Sequence, residues 1–289
     1  MSKIKSVSTY IIAEHTPEEG LLTMYEERDE QGNILLHEQY YEDGSTEMRT
    51  MRQFDNDNRL LTLEQYSSNE KPDQRFEYQY NESGKVAKVS IHYLDGSISV
   101  QHYERDEAEN SLTVRTVDED GDEEAKEYRR LDSEGRVLEE IIHEDGELQR
   151  HVQSSYDDHG RLLSRHTKTG DGYDTKYTYE YEIDDQGRIT GIDVVDEEDE
   201  LVRGDTLGYD ERGNEISHLV ENHLEGYIAE ERAAYDENGR LVKEQRFNGQ
   251  NLASEVDYLY NENNLLHEEA HRSPRGVYLN QYKYEFYPA

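Results

Sequence analysis

A Gly or Asn recurs at one point of a short motif every 25 to 27 residues along the 289-residue chain. The marks are Gly32, Asn58, Gly84, Asn110, Gly135, Gly160, Gly187, Gly213, Gly239 and Asn264. Around each stand an aromatic or apolar residue, Asp or Asn, two free residues, the mark, then Arg, Lys or Asn, and an aliphatic. Tyr156-Asp157-Asp158-His159-Gly160-Arg161-Leu162 and Tyr235-Asp236-Glu237-Asn238-Gly239-Arg240-Leu241 are its clearest copies. A fixed period of this length means one supersecondary unit repeated many times. The chain is expected to be a single repeat domain, 1–289, of ten repeats, with terminal strands 1–20 and 274–289 as caps.

The motif is a turn. Asp-x-x-Gly suits a type I turn whose Asp side chain accepts from backbone N–H groups and whose fourth residue adopts a left-handed backbone. Asn replaces Gly at 58, 110 and 264, and Asn is the next most tolerant residue there. A phosphate-cradling glycine would not tolerate that exchange. A second turn signal lies midway through most units, as at Asp95-Gly96, Asp120-Gly121, Asp145-Gly146, Asp171-Gly172 and Asn248-Gly249. It is degenerate at Ser67–Asp73 and in the acidic run Asp196–Glu200.

Between turns the chain alternates with period two, as in Phe76–Tyr80, Ile98–His102, Tyr177–Ile183 and Val256–Tyr260. That pattern describes half-buried antiparallel strands. Ten units of two strands, with Val7–Glu14 and Val277–Tyr287 at the ends, give an all-β meander of about 22 antiparallel strands. So many strands cannot stay flat. The expected result is a sheet curled into a spiral or flattened tube-like form, with a Tyr/Leu/Val face inward and an Asp/Glu face outward or along a groove.

Tyr-Asp-x-x-Gly-Arg-Leu recurring through a Tyr-rich chain resembles the YD repeats of the RHS family. Good copies are Phe54–Leu60, Tyr80–Val86, Leu131–Val137, Tyr156–Leu162, Ile183–Ile189, Tyr235–Leu241 and Tyr260–Leu266. Arg28–Ile34 lacks the leading aromatic, Asp106–Leu112 keeps only Asn110 and Leu112, and Tyr209–Ile216 has its aliphatic one place late. In large RHS proteins these repeats form strands that spiral into a shell around a toxin. The resemblance implies strand architecture here, in a short, repeat-only member without a toxin domain.

Acidic residues outnumber basic ones 68 to 31, a net charge of −37, and only 33% of residues are hydrophobic. Such numbers alone suggest disorder, but 24 tyrosines and the strict period argue for a fold with a thin core. The absence of cysteine removes disulfides and thiolate chemistry and suits a reducing cytoplasm. No segment approaches the roughly twenty apolar residues of a membrane span, and the start lacks the apolar core of a secretory signal.

Candidate chemistry is sparse. Asp118-Glu119-Asp120-Gly121-Asp122 has its Gly fourth rather than sixth, so it fails the EF-hand pattern, and it reads as an acidic hairpin tip. With Asp196, Glu197, Glu198 and Asp199 it supplies two candidate acidic patches for a partner. Arg59, Lys85, Arg136, Arg161, Arg188 and Arg240, each following a mark, are expected to stack along one rim and pair with neighbouring turn aspartates rather than bind a phosphate-rich partner, because the net field repels polyanions. His37-Glu38, His143-Glu144 and His267-Glu268 sit at different offsets from their turns and do not converge on a metal. No activated nucleophile is visible, so the chain is expected to be no enzyme and to use no cofactor or metal.

The leading expectation is a protein-binding repeat protein, most concretely a bacterial cytoplasmic immunity protein or antitoxin that neutralises a basic toxin effector, without direct nucleic-acid or membrane contact. The alternatives are an RHS-type scaffold or surface, carbohydrate-binding module, and a DNA-mimic inhibitor.

Overall fold

The computed structural model describes residues 3–13, 16–67 and 70–288. They form 22 β-strands and no helix among the described residues. The first eight are β1 (Ile4–Ala13), β2 (Leu21–Arg28), β3 (Ile34–Tyr40), β4 (Thr46–Phe54), β5 (Leu60–Tyr66), β6 (Gln74–Tyr80), β7 (Val86–Tyr93) and β8 (Ile98–Asp106). Then come β9 (Ser111–Val117), β10 (Glu123–Leu131), β11 (Val137–Glu144), β12 (Glu147–Tyr156), β13 (Leu162–Thr169), β14 (Asp174–Ile183) and β15 (Ile189–Val195). The last seven are β16 (Leu201–Tyr209), β17 (Glu215–Asn222), β18 (Tyr227–Tyr235), β19 (Leu241–Asn248), β20 (Asn251–Tyr260), β21 (Leu266–Ser273) and β22 (Gly276–Phe286). The antiparallel meander of 22 strands is thus as the spacing predicts. Glu14 of the expected first strand, and Ser68 and Asn69 of the degenerate turn, lie outside the described residues.

All ten marks have positive φ, from 47° at Asn110 to 94° at Gly32. At most of them the strand register shifts at the motif's leading residue, as between Ser155 and Tyr156 and between Ala234 and Tyr235. A type I turn followed by a left-handed residue and a bulge produces this shift. Gly239 shows why the position excludes a side chain such as Val. A Cβ there would meet nothing within 4 Å, so only its backbone at φ 77° resists substitution.

Hydrogen bonding corrects one expectation. β1 pairs with β2 and also with β22, and the Tyr287 N–H donates to the Lys3 carbonyl at 2.9 Å. First and last strands are partners, so the sheet is not a spiral or flattened tube with two free edges. Unpaired edge strands leave a row of N–H and C=O groups unsatisfied, and pairing the chain's ends removes that row.

The chain forms two compact units. One comprises the described residues of 1–7, 24–176 and 285–289, the other those of 8–23 and 177–284. In the first, Leu63, Phe76, Ile91 and Ser99 share one row across β5 to β8. Val89 is 2% exposed, and Ile91, Val114, Val7 and Tyr66 are buried with it. In the second, Val194, Val202 and Ala270 are buried. The expected split into an apolar face and an acidic face is corrected in both units. Buried Ser99 lies in the same row as buried Ile91, and buried Asp205 stands opposite Ile192 and Val220. Ser99 donates to Glu124 at 2.7 Å and Asp205 is paired with Arg203 at 2.7 Å, as polar groups in a thin core require.

Candidate functional site

The motif's Asp organises its own turn. In the turn after β18, Asp236 Oδ1 accepts from the N–H of Asn238 at 2.8 Å and of Arg240 at 3.0 Å, and Oδ2 accepts from Arg240 Nε at 2.7 Å. Asp55–Arg59, Asp132–Arg136, Asp157–Arg161 and Asp184–Arg188 repeat the arrangement. The backbone N–H and the guanidinium of Arg240 hold the Asp236 carboxyl below its usual range. The arginines expected to pair with neighbouring turn aspartates pair instead with the aspartate of their own turn, four residues earlier. Lys85, whose turn carries Asn81 in place of Asp, reaches Glu107 at 2.8 Å instead.

Four of these guanidinium groups also cover a tyrosine of the next repeat. Arg59 stands 5.1 Å from the Tyr80 ring centroid, Arg136 5.1 Å from Tyr156, Arg188 4.7 Å from Tyr209 and Arg240 4.8 Å from Tyr260, within cation–π range. The same tyrosines donate their hydroxyls to the carbonyl of the previous motif's aliphatic: Tyr80 to Leu60 at 2.7 Å, Tyr209 to Ile189 at 2.8 Å, Tyr260 to Leu241 at 2.9 Å. Tyr, Asp, Arg and the aliphatic are therefore one clasp between successive repeats.

The two acidic patches use the same turn with the cation inverted. Asp118 Oδ1 accepts from the N–H of Asp120 at 3.0 Å and of Asp122 at 2.8 Å. Asp196 Oδ1 accepts from the N–H of Glu198 at 3.0 Å and of Glu200 at 2.9 Å. Asp122 and Glu200 thus occupy the place that Arg holds in the motif turn. Neither tip has an ion pair among the described residues, and Asp199 adopts φ 61°. Asp118, Asp120 and Asp122 lie in the first unit; Asp196, Glu197, Glu198 and Asp199 lie in the second. Of the His-Glu pairs, His37 turns away from Glu38 to Glu26, 3.2 Å from its Nδ1.

One polar cluster in the second unit escapes a reading of the sequence. Asp205 has a side chain 3% exposed, held by Arg203 Nε and Nη2 at 2.7 Å each and by His218 Nε2 at 2.6 Å. Burial pushes its pKa up, but the hydrogen bonds and charges of Arg203 and His218 outweigh burial and hold it below the usual range. On the same face His218 stands opposite Glu231, Ala233 opposite Glu244, and Tyr258 opposite Glu269. Glu244 accepts from the Tyr258 hydroxyl. Glu269 accepts from His271 Nε2 at 3.0 Å and from Asn280 Nδ2 at 3.2 Å, and His271 stacks on Tyr278 at 4.5 Å and 8°. Burial first, then Glu244, pushes the Tyr258 phenol up, and burial with Glu269 does the same to Tyr282. The readable signal was a 13-residue spacing, half a repeat, through Asp205, His218, Glu231 and Glu244.

No protein-family model and no curated protein matches the chain. Among solved structures it is similar to a chain of the Photorhabdus luminescens Tc holotoxin pore and to one of the TcdB2–TccC3–Cdc42 complex. Each is 17% identical with a TM-score of 0.39 over 90% of this chain. This chain spans 16% of the length of those chains. A porin-like protein from Bacteroides uniformis is 7% identical with a TM-score of 0.33, covering 99% of this chain and 98% of that one.

Proposed function

We propose that the chain is a protein-binding repeat protein of the YD type that neutralises a basic toxin effector, as a bacterial cytoplasmic immunity protein or antitoxin does. One observation carries the reading. Two hairpin tips keep the Asp-centred turn yet carry an acid where every well-formed motif turn with an Asp carries Arg or Asn. Carboxylates left without a cation cost the fold through mutual repulsion, and a basic partner removes that cost on binding. The net charge of −37 supports the same partner sign, and complementary charge speeds association and selects the partner. The regular clasps support a rigid display surface, and binding here needs no catalytic group.

The test is the salt dependence of association with a partner captured from the native cell. The on-rate should fall steeply as salt rises, with the off-rate little changed, because exposed charges are screened beyond about 10 Å at 0.1 M. A salt-insensitive on-rate would contradict the proposal.

A further inference from the structure

The motif clasps show what this chain does with a carboxylate beside a tyrosine: Asp236 and Tyr260 hold the guanidinium of Arg240 between them. The second unit presents a carboxylate beside a tyrosine again, with the nearby arginines engaged elsewhere. A cavity of about 300 Å³ has Glu244, Arg246, Tyr258, His271, Arg272 and Tyr278 in its lining, and Arg272 is held by Glu255 at 3.2 Å and by Asp257. This cavity is a groove across β19 to β22, and its Glu244 also borders a second cavity of about 310 Å³ with His218 and Glu231. Glu244 has no ion pair among the described residues, and Glu269 is contacted there by His271 Nε2 at 3.0 Å rather than by a lysine or arginine. Arg246 lines the groove but is paired with Glu231 at 3.1 Å. The Tyr278 ring is 38% exposed, and its stacking on His271 fixes its orientation.

We infer that this groove receives an arginine or lysine side chain from an extended basic segment of the protein partner. Glu244 supplies the counter-charge and Tyr258 and Tyr278 the aromatic faces, an arrangement that favours a desolvated cation. Tyr258 positions Glu244 through its hydroxyl, and Asn280 and His271 position Glu269. The inference rests on the basic-partner reading and names a second contact apart from the hairpin tips.

A hexa-arginine peptide serves as the probe, titrated calorimetrically in about 0.15 M salt, where exposed charges are screened beyond about 8 Å. Glu244→Gln and Tyr258→Leu should each weaken binding about five-fold or more. A variant with the exposed turn acids Asp185, Glu237 and Glu262 changed to Asn, Gln and Gln removes more charge without touching the groove lining and should stay within about two-fold of the parent. Circular dichroism checks that each variant folds, and Glu269→Gln replaces Glu244→Gln if the latter does not. Equal losses in the groove and turn-acid variants, or none in the groove variants, would overturn the groove. Peptide binding is read separately from rescue of cells carrying an effector. A chain that binds the peptide through Glu244 yet rescues no effector supports the groove and refutes the immunity reading. Rescue with unchanged peptide binding by the groove variants does the reverse.

Discussion

The hydroxyl of Tyr260 donates to the carbonyl oxygen of Leu241 at 2.9 Å, joining one motif to the next across 19 residues of the chain. Its ring lies 4.8 Å from the Arg240 guanidinium. One tyrosine thus contacts both residues that follow the turn glycine of the preceding motif, which is why the motif keeps Tyr, Arg and an aliphatic together. The series ends with Tyr284, whose hydroxyl donates to the Leu266 carbonyl at 2.7 Å, while Tyr287 donates to the carbonyl of Arg28 at 2.6 Å.

Tyr260→Phe should therefore cost about 0.5–1.5 kcal/mol, the net worth of one hydrogen bond. Tyr260→Leu should cost roughly 0.5–1 kcal/mol more by losing the face under Arg240. Urea denaturation of the two variants measures both steps. Equal stabilities for Phe and Leu would remove the cation–π part of the clasp.

At Gly239 the backbone alone is under test, because the space beside it is open. Gly239→Val should destabilise by about 1–3 kcal/mol, whereas Gly239→Asn should cost much less. Gly160 is a poorer site for this comparison, since a Cβ there would stand 2.7 Å from Arg136 Nη1. Identical melting of the two Gly239 variants would contradict the left-handed assignment.

Asp205→Asn removes the charge that Arg203 and His218 share. The cost should be about 1–3 kcal/mol, below that of a fully enclosed pair, because Arg203 and His218 are 46% and 30% exposed and water hydrates what is left. The Asp205 carboxyl is held below its unfolded value. Its contribution is therefore complete above about pH 4, the unfolded Asp pKa, and is lost as pH falls through the lower folded one. The parent should lose stability between about pH 4 and the lower folded pKa, and Asp205→Asn should show a smaller loss there. Parallel acid-unfolding curves for the two proteins would refute the assignment.

The hairpins were legible because their signals are local: Asp-x-x-Gly fixes a turn within five residues, and Tyr177–Ile183 alternates within one strand. The acidic tips were legible for the same reason, but the inverted cation at Asp122 became meaningful only beside Arg136 in an identical turn. The pairing of β1 with β22 is set by the two ends of the chain finding each other, which no local pattern encodes. The groove depends on register. Glu244 and Tyr258 lie 14 residues apart and Glu269 and Asn280 11 apart, and a one-residue slip would put each pair on opposite faces.

Asp122→Arg and Glu200→Arg restore the cation that the tips lack. Each should pair with Asp118 or Asp196 as Arg136 pairs with Asp132, leaving the thermal midpoint equal or higher while slowing association with a basic partner. Faster association, or a lower midpoint, would contradict the account of the tips.

The most direct measurement is growth rescue on co-expression with any toxin-domain effector whose gene is found beside that of this chain. The parent chain should restore growth, and the variant with Asp118, Asp120 and Asp122 changed to Asn should restore it less well at equal expression. Failure of the parent chain to rescue cells from any adjacent effector would contradict the proposed neutralising function.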